Sequence, residues 1–294
     1  MSTEAKLVRR ISVLVAGGIS PRNSWRFLRS DSDFAATAAK VSGRLDRGED
    51  TATAISAEGF AALASIWRLA ETTGAAMSPT LNTLAEQLTE FEVYERQRAL
   101  AFAGPRATMR LTLWLPVVSI AMSMLLGFNP IGFLLFNPAG WAMMFVGAFL
   151  ILIANVWSGR LMKRAAGSLS RPGFAEELLV VALSAGLDQQ RARILVTDAI
   201  DEFRVDGVSI AEFTSRSGAV ARSLQLAQEA GVSVVGILHA EAASQRLEYR
   251  NMIQHRAAKL SVSLMLPMGV CVLPAFIALG VLPMMFSILG SSLS

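Results

Sequence analysis

The chain has 294 residues, 53% of them apolar, and its 27 Lys and Arg are nearly balanced by 23 Asp and Glu. No Asp, Glu, Lys, Arg or His occurs in residues 111–159 or 260–294, so all of the charge lies in the other two segments. This distribution excludes a soluble single-domain protein, a disordered chain and a protein that lies in the membrane throughout.

The first charged segment, residues 1–110, has the pattern of a helical domain. Arg9 and Arg10 precede an apolar stretch as in a signal peptide, but the stretch is short, contains glycines and lacks a cleavage pattern, which favours an amphipathic helix. Apolar residues recur at helical spacing in residues 34–45 and 60–69. Ser20-Pro21 and Ser78-Pro79 are typical of helix starts.

The two charge-free segments predict three membrane-spanning helices. Residues 111–127 and 139–157 are each close to the ~20 apolar residues that a span needs, and the Asn-Pro and Gly residues between them predict a turn. Residues 261–289 provide a third span with room to tilt.

Lys and Arg flank these spans on one side only, which predicts their orientation. The flanking cations are Arg96, Arg98, Arg106 and Arg110 before the first span, Arg160, Lys163, Arg164 and Arg171 after the second, and Arg256 and Lys259 before the third. We therefore expect a multi-pass protein of the plasma (inner) membrane, with a cytoplasmic N-terminus and an external C-terminus.

The second charged segment repeats landmarks of the first in the same order, which indicates a duplication. Residues 14–17 and 183–186 share an L-x-A-G pattern, and residues 69–74 and 226–231 end in Gly74 and Gly231 before a long charged helix. Gly104-Pro105 should break that helix in the first copy, whereas the second copy has no such break between Val232 and Ser263.

The predicted architecture is an all-α membrane protein with two homologous cytoplasmic helical bundles and three transmembrane helices. The predicted domains are residues 1–110 and 160–259 in the cytoplasm, residues 111–159 as two spans with a short external loop, and residues 260–294 as the third span with an external C-terminus.

Tests for chemistry find no catalytic, metal or cofactor pattern, so we expect neither an enzyme nor a bound cofactor. Gly43 to Asp50 has P-loop glycine spacing, but Glu49-Asp50 stands where Lys-Ser/Thr is needed and would repel phosphate. His239 and His255 lack metal-ligand spacing and fit solvated helix positions. The acidic residues between Asp198 and Asp206 lack a calcium-loop pattern and fit a solvated helix end.

The composition also bears on other classes of function. The Lys and Arg residues in excess over Asp and Glu are scattered along the chain, which argues against nucleic-acid binding. A subunit of an oligomeric, permease-like transporter is the alternative, although its spans would carry no ionisable residue.

The order of elements resembles the F-domain platform proteins of type II secretion, type IV pili and Tad (Flp) pili. Their G-E-x-x-G motif before a charged helix is similar to residues 70–74 and 227–231, with Ala at the first position of both copies and Gln at the acidic position of the second. The first half resembles the TadB proteins through Leu115-Pro116 and the segment from Leu126 to Trp157. The second half resembles the TadC proteins through Leu266-Pro267 and residues 273–276.

The resemblance implies a non-enzymatic platform that passes the motion of a cytoplasmic secretion ATPase to pilin or pseudopilin subunits. It implies further contacts with the lipid bilayer and with another copy of the chain or a paralogous platform protein. Glu71, Gly74, Glu229 and Gly231 are the motif positions, with either a structural role at helix ends or a role in partner contact.

Overall fold

The computed structural model describes residues 3–127, 130–167, 171–215 and 218–286, except for the side chains of residues 211 and 212. Every regular element in these ranges is helical, which confirms the predicted all-α class. Three helical stretches are long and apolar enough to cross a membrane, as predicted: Met77–Leu125, Pro138–Ala166 and Val234–Phe286.

Seven α-helices cover the first charged segment and the first span. They are α1 (Thr3–Ala16), α2 (Pro21–Phe27), α3 (Ala35–Asp46), α4 (Thr51–Ser56), α5 (Ala61–Thr73), α6 (Met77–Ala101) and α7 (Ala103–Leu125). A 3₁₀ turn, Leu28–Ser30, follows α2. The predicted break near Gly104-Pro105 is present at Phe102, between α6 and α7.

The remaining helices cover the hairpin, the second charged segment and the third span. They are α8 (Pro130–Phe136), α9 (Pro138–Ala166), α10 (Phe174–Ser184), α11 (Gln189–Phe203), α12 (Ile210–Thr214), α13 (Ala219–Ala230), α14 (Val234–Pro267) and α15 (Leu273–Phe276). As predicted, α14 runs without a break from residue 234 past residue 263.

The described residues divide into two compact units. We call the first the core unit; it contains the described residues of Met1–Arg96 and Ser168–Arg250. We call the second the span unit; it contains the described residues of Gln97–Gly167 and Asn251–Ser294. The cations that flank the spans therefore mostly belong to the span unit, because the spanning helices continue beyond their charge-free stretches.

Both charged segments contribute to one hydrophobic core within the core unit. Helix α5 packs against α10 and α11, and the buried cluster includes Trp25 and Trp67 from the first segment with Leu178 and Leu238 from the second. The rings of Trp25 and Trp67 lie 6.3 Å apart, centroid to centroid, and both side chains are fully buried. Burial of this apolar surface is the main favourable contribution to folding.

The repeated landmarks adopt the same backbone geometry, with the first pair shifted by one residue from the match predicted from sequence. Gly18 and Gly186, at φ 88° and 89°, end α1 and α10, so the partner of Gly186 is Gly18 and not Gly17. Two consecutive glycines concealed this register. The next helices begin with side-chain caps, from Ser20 in one copy and Asp188 in the other.

The connection between the first two spans is more ordered than the predicted turn, since it contains the helix α8. Pro130 suits the first position of a helix, where no N–H is needed. Trp141 Nε1 donates a hydrogen bond to the carbonyl oxygen of Leu135 at 2.8 Å, and Asn137 caps α9. The Phe128-Asn129 part of the predicted turn lies outside the described residues.

The third span changes helical geometry at its prolines. Two π-helical segments, Met268–Val272 and Ile277–Val281, flank α15. Pro267 and Pro274 lack the N–H that a regular α-helical ladder requires, and local i→i+5 bonding is one way to accommodate this. Within the span unit, Gly280 lies against Ser119 and Leu279 lies against Gly147, so consecutive residues contact α7 and α9.

Candidate functional site

The glycines of the motif end two equivalent helices. Gly74 follows α5 at φ 72° and Gly231 follows α13 at φ 64°, both in the left-handed region that glycine adopts without strain. Each is followed after two residues by a long helix, α6 or α14. The two corners are thus the points where each repeat turns into the helix that leads to a span.

Glu71 is held by a buried aromatic side chain. Its Oε1 accepts a hydrogen bond from Trp67 Nε1, one turn earlier, at 2.8 Å. Because Trp67 is fully buried, this bond satisfies the polar atom of a core residue. Glu71 itself is exposed, so its carboxylate lies at the protein surface, directly above the buried Trp67.

Glu229 has a different environment. It accepts a hydrogen bond from Gln225 Nε2 at 2.7 Å on the exposed face of α13. Counting back from Gly231, the position equivalent to Glu71 is Gln228, which donates to Gln189 Oε1 at 3.0 Å. No hydrogen bond or ion pair joins Glu71 to Glu229 among the described residues, so the motif carboxylates do not form a common site there.

A groove of about 510 Å³ lies beside the first corner, within the core unit. Gly74 and Pro79 line it from the first repeat, and Val181, Ser184 and His239 line it from the second. One motif position is therefore part of a surface to which both repeats contribute.

Charged side chains that no sequence pattern indicated meet around the buried carboxylate of Glu177, and one of them, His239, lines the groove. We call Glu90, Glu177, His239 and Arg246 the buried ion network after its centre, since Glu90 and His239 themselves are half exposed. Arg246 donates to Glu177 Oε1 at 2.5 Å and to Glu90 Oε2 at 3.1 Å. His239 is exposed on α14, as predicted, and its Nδ1 also lies 3.1 Å from Glu177 Oε2. Since Glu177 is 8% exposed and Arg246 17%, the central pair is largely removed from water.

The neighbouring residue Glu176 is also buried and paired. Gln245 donates from Nε2 to Glu176 Oε1 at 2.8 Å, and its Oε1 accepts the backbone N–H of Gly173 at 3.1 Å. A Cβ at Gly173 would lie 2.9 Å from Ala242 Cβ, so only glycine allows α14 to approach this closely. The contacts fix α14 against the start of α10.

Two more arginines connect the repeats. Arg171 lies over the ring of Phe91 at 5.0 Å and within 3.8 Å of Glu4. Arg68 pairs with Asp50 at 2.8 Å and with Glu202 at 2.9 Å. Glu202 is exposed near the end of α11, as predicted, and contributes this ion pair.

The carboxyl groups of Glu4 and Asp50 respond oppositely to their surroundings. Burial raises the pKa of Glu4, and the opposing effects of Arg171 and the Leu63 N–H do not cancel this. Burial also acts to raise the pKa of Asp50, but hydrogen bonds from Thr53 and the charge of Arg68 outweigh it and leave that pKa lowered.

Glu4→Gln is expected to flatten part of the pH dependence of stability. A carboxyl whose pKa is raised above 4.5 on folding contributes stability that is complete below that pH and is lost as the pH rises through the folded-state pKa. The wild type should therefore lose stability relative to the variant as the pH rises above 4.5 and through the raised pKa of Glu4. Thermal unfolding of the detergent-solubilised chain across this pH range measures the difference.

Glu86→Gln, at an exposed carboxyl of α6, is the control, and its stability should follow that of the wild type at every pH. If the stability of Glu4→Gln and of the wild type changed in parallel with pH, the expectation would be contradicted.

Comparison with known protein families gives a match that covers the first repeat and the first span. Residues 7–125 match the family model described as Type II secretion system (T2SS), protein F. The chain carries a type II secretion F domain. A search of curated proteins found no match.

The F-domain match over residues 7–125 suggests a platform protein of secretion or pilus-assembly machinery. With three candidate spans, it indicates a multi-pass protein of the inner membrane. The matched residues end with the last residue of α7, so the second repeat lies outside the match. It shares with the first repeat the left-handed glycines, at 186 and 231, and the long helix that follows.

Proposed function

We propose that this F-domain protein is the inner-membrane platform of a pilus-assembly or type II secretion-like machine. In this role it couples a cytoplasmic ATPase to pilin or pseudopilin subunits, as a non-enzymatic component without a cofactor. The family match over residues 7–125 carries the proposal. The Tad (Flp) machines are among those that the proposal covers, because the first half resembles TadB proteins and the second TadC proteins.

Within this role, the helices suggest separate functions for the core unit and for the spans. The core unit provides the surface on which the ATPase acts, in the cytoplasm, and the spans pass the motion to subunits in the bilayer. Helix α14 supports this idea because it begins at Val234, three residues after the second corner, and runs unbroken through Pro267. The C-terminus is then external, and the platform assembles with another copy or with a paralogous protein.

Deletion of the gene tests the role directly. We expect loss of pili or of secretion in a strain without a paralogue, restoration by the wild-type gene, and co-purification of the tagged chain with a secretion-type ATPase. Intact piliation and secretion in the clean deletion strain would contradict the proposal.

Glu71 can be tested by separating its charge from its hydrogen bond. Glutamine retains an oxygen that can accept from Trp67 Nε1, so Glu71→Gln should keep both thermal stability and piliation. Glu71→Leu leaves a buried donor without a partner and should cost about 1–3 kcal/mol of unfolding free energy. We assign Glu71 this structural role. Loss of ATPase co-purification in Glu71→Gln at unchanged stability would instead show that the carboxylate contacts a partner.

A further inference from the structure

The span unit differs from the core unit in its charge. Residues 97–167 and 251–294 contain eight Lys and Arg but no Asp or Glu. A cationic surface next to membrane-spanning helices attracts anionic lipid headgroups, an effect beyond the orientation of the chain.

One face of α9 combines an apolar strip with cations at its end. Phe149, Leu152 and Val156 are 64%, 63% and 42% exposed and follow each other at spacings of three and four residues. The same spacing continues to Arg160 and Lys163, which are exposed. Residues three and four apart share a helix face, so the strip that would meet acyl chains leads directly to two cations.

Two further guanidinium groups lie at the end of this face. Gly167, four residues after Lys163, accepts a hydrogen bond from Arg98 Nη2 at 3.3 Å. A Cβ at Gly167 would lie 2.6 Å from Arg256 Nη1, so Arg256 rests against the same residue. Cations from three stretches of the chain thus gather at the end of one apolar strip.

We propose that this face of α9, with Arg98 and Arg256 at its end, binds an anionic phospholipid. The acyl chains lie along Phe149, Leu152 and Val156, and the headgroup phosphate is bound by Arg160, Lys163 and Arg256. A phospholipid fits better than a soluble anion because only a lipid matches both the apolar and the cationic parts. The site is independent of the ATPase coupling proposed above.

Native mass spectrometry of the purified full chain, supplied in detergent with equal phosphatidylglycerol and phosphatidylcholine, tests the proposal. The wild type should retain phosphatidylglycerol preferentially. Arg160→Gln combined with Lys163→Gln should reduce that preference roughly thirtyfold, since two cations near an anionic headgroup together contribute about 2 kcal/mol and tenfold corresponds to about 1.4.

Two control variants separate a defined site from diffuse charge. Arg106→Gln with Arg110→Gln removes two exposed cations of α7 in the same unit, and Arg9→Gln with Arg29→Gln removes two from the core unit. Both should retain most of the preference. An equal loss in the α7 variant would overturn the site on α9 in favour of general charge attraction.

The remaining outcomes identify the source of the phosphate. Inorganic phosphate and soluble glycerol phosphate should neither displace the lipid nor raise the melting temperature. If they stabilise the wild type as phosphatidylglycerol does, the site binds a soluble anion and the lipid proposal is wrong. Equal retention of phosphatidylglycerol and phosphatidylcholine by the wild type would also overturn the lipid proposal. The cations would then be assigned to the binding of an acidic protein surface. Unfolding temperatures of all variants, measured in the same detergent, verify that each is folded.

Discussion

Arg246→Met is expected to lower the free energy of unfolding by about 3–5 kcal/mol, the largest effect of any single change considered for this protein. Methionine keeps much of the length of the side chain but removes the charge that Glu177 and Glu90 share. Glu177 is then left as a buried carboxylate without its arginine, and such a group costs far more than the intact pair contributes. Thermal unfolding in detergent measures the loss.

Two further variants make the Arg246 result specific. Arg191→Met, at an exposed arginine of α11, is the matched control and should change stability by less than about 0.5 kcal/mol. Adding Glu177→Gln to Arg246→Met removes the uncompensated charge and should restore a large part of the lost stability. A loss in Arg246→Met no greater than that in Arg191→Met would show that the buried ion network does not stabilise the core unit.

Gly140→Ala should destabilise the hairpin of the first two spans by about 1–3 kcal/mol, the cost of overpacking a close contact. A Cβ at this position would overlap the carbonyl oxygen of Phe133 and would lie 2.7 Å from the Cα of Leu134. Both are backbone atoms, so no side-chain rotation relieves the overlap and α8 must move away from α9. The melting temperature should fall, and the proteolytic susceptibility of the connection between the first two spans should rise.

Gly159 supplies the control on the same helix. A Cβ there meets no atom within 4 Å, so Gly159→Ala should be neutral or stabilising, because alanine is the better helix former. If the two alanine variants melt at the same temperature, the contact between α8 and α9 does not contribute to stability.

Features that depend on local chemistry were predictable from the sequence. Gly74 and Gly231 were predicted at helix ends because glycine adopts a positive φ without strain, and both do so. The charge-free runs predicted the spans because buried charge is costly in a bilayer. The helical hairpin connection was missed because Asn-Pro and Gly indicate a turn as readily as the start of a short helix.

The buried ion network could not be predicted, because its members are distant in the chain. Arg246 pairs with Glu90 across 156 residues and with Glu177 across 69, and no local pattern links such positions. The available signal was Glu176-Glu177 in α10, a helix whose remaining residues are almost all apolar. Two adjacent carboxylates there required partners, although the sequence did not reveal which ones.

The common core has a consequence for how the chain could be divided. If the polypeptide were cut in the hairpin between the first two spans, α5 would remain on one fragment while α10 and α11, against which it packs, would lie on the other. Each fragment alone would expose apolar surface and would separate Arg68 from Glu202 and Arg246 from Glu90. The two charged segments therefore complete one core together, and neither would bury its apolar surface without the other.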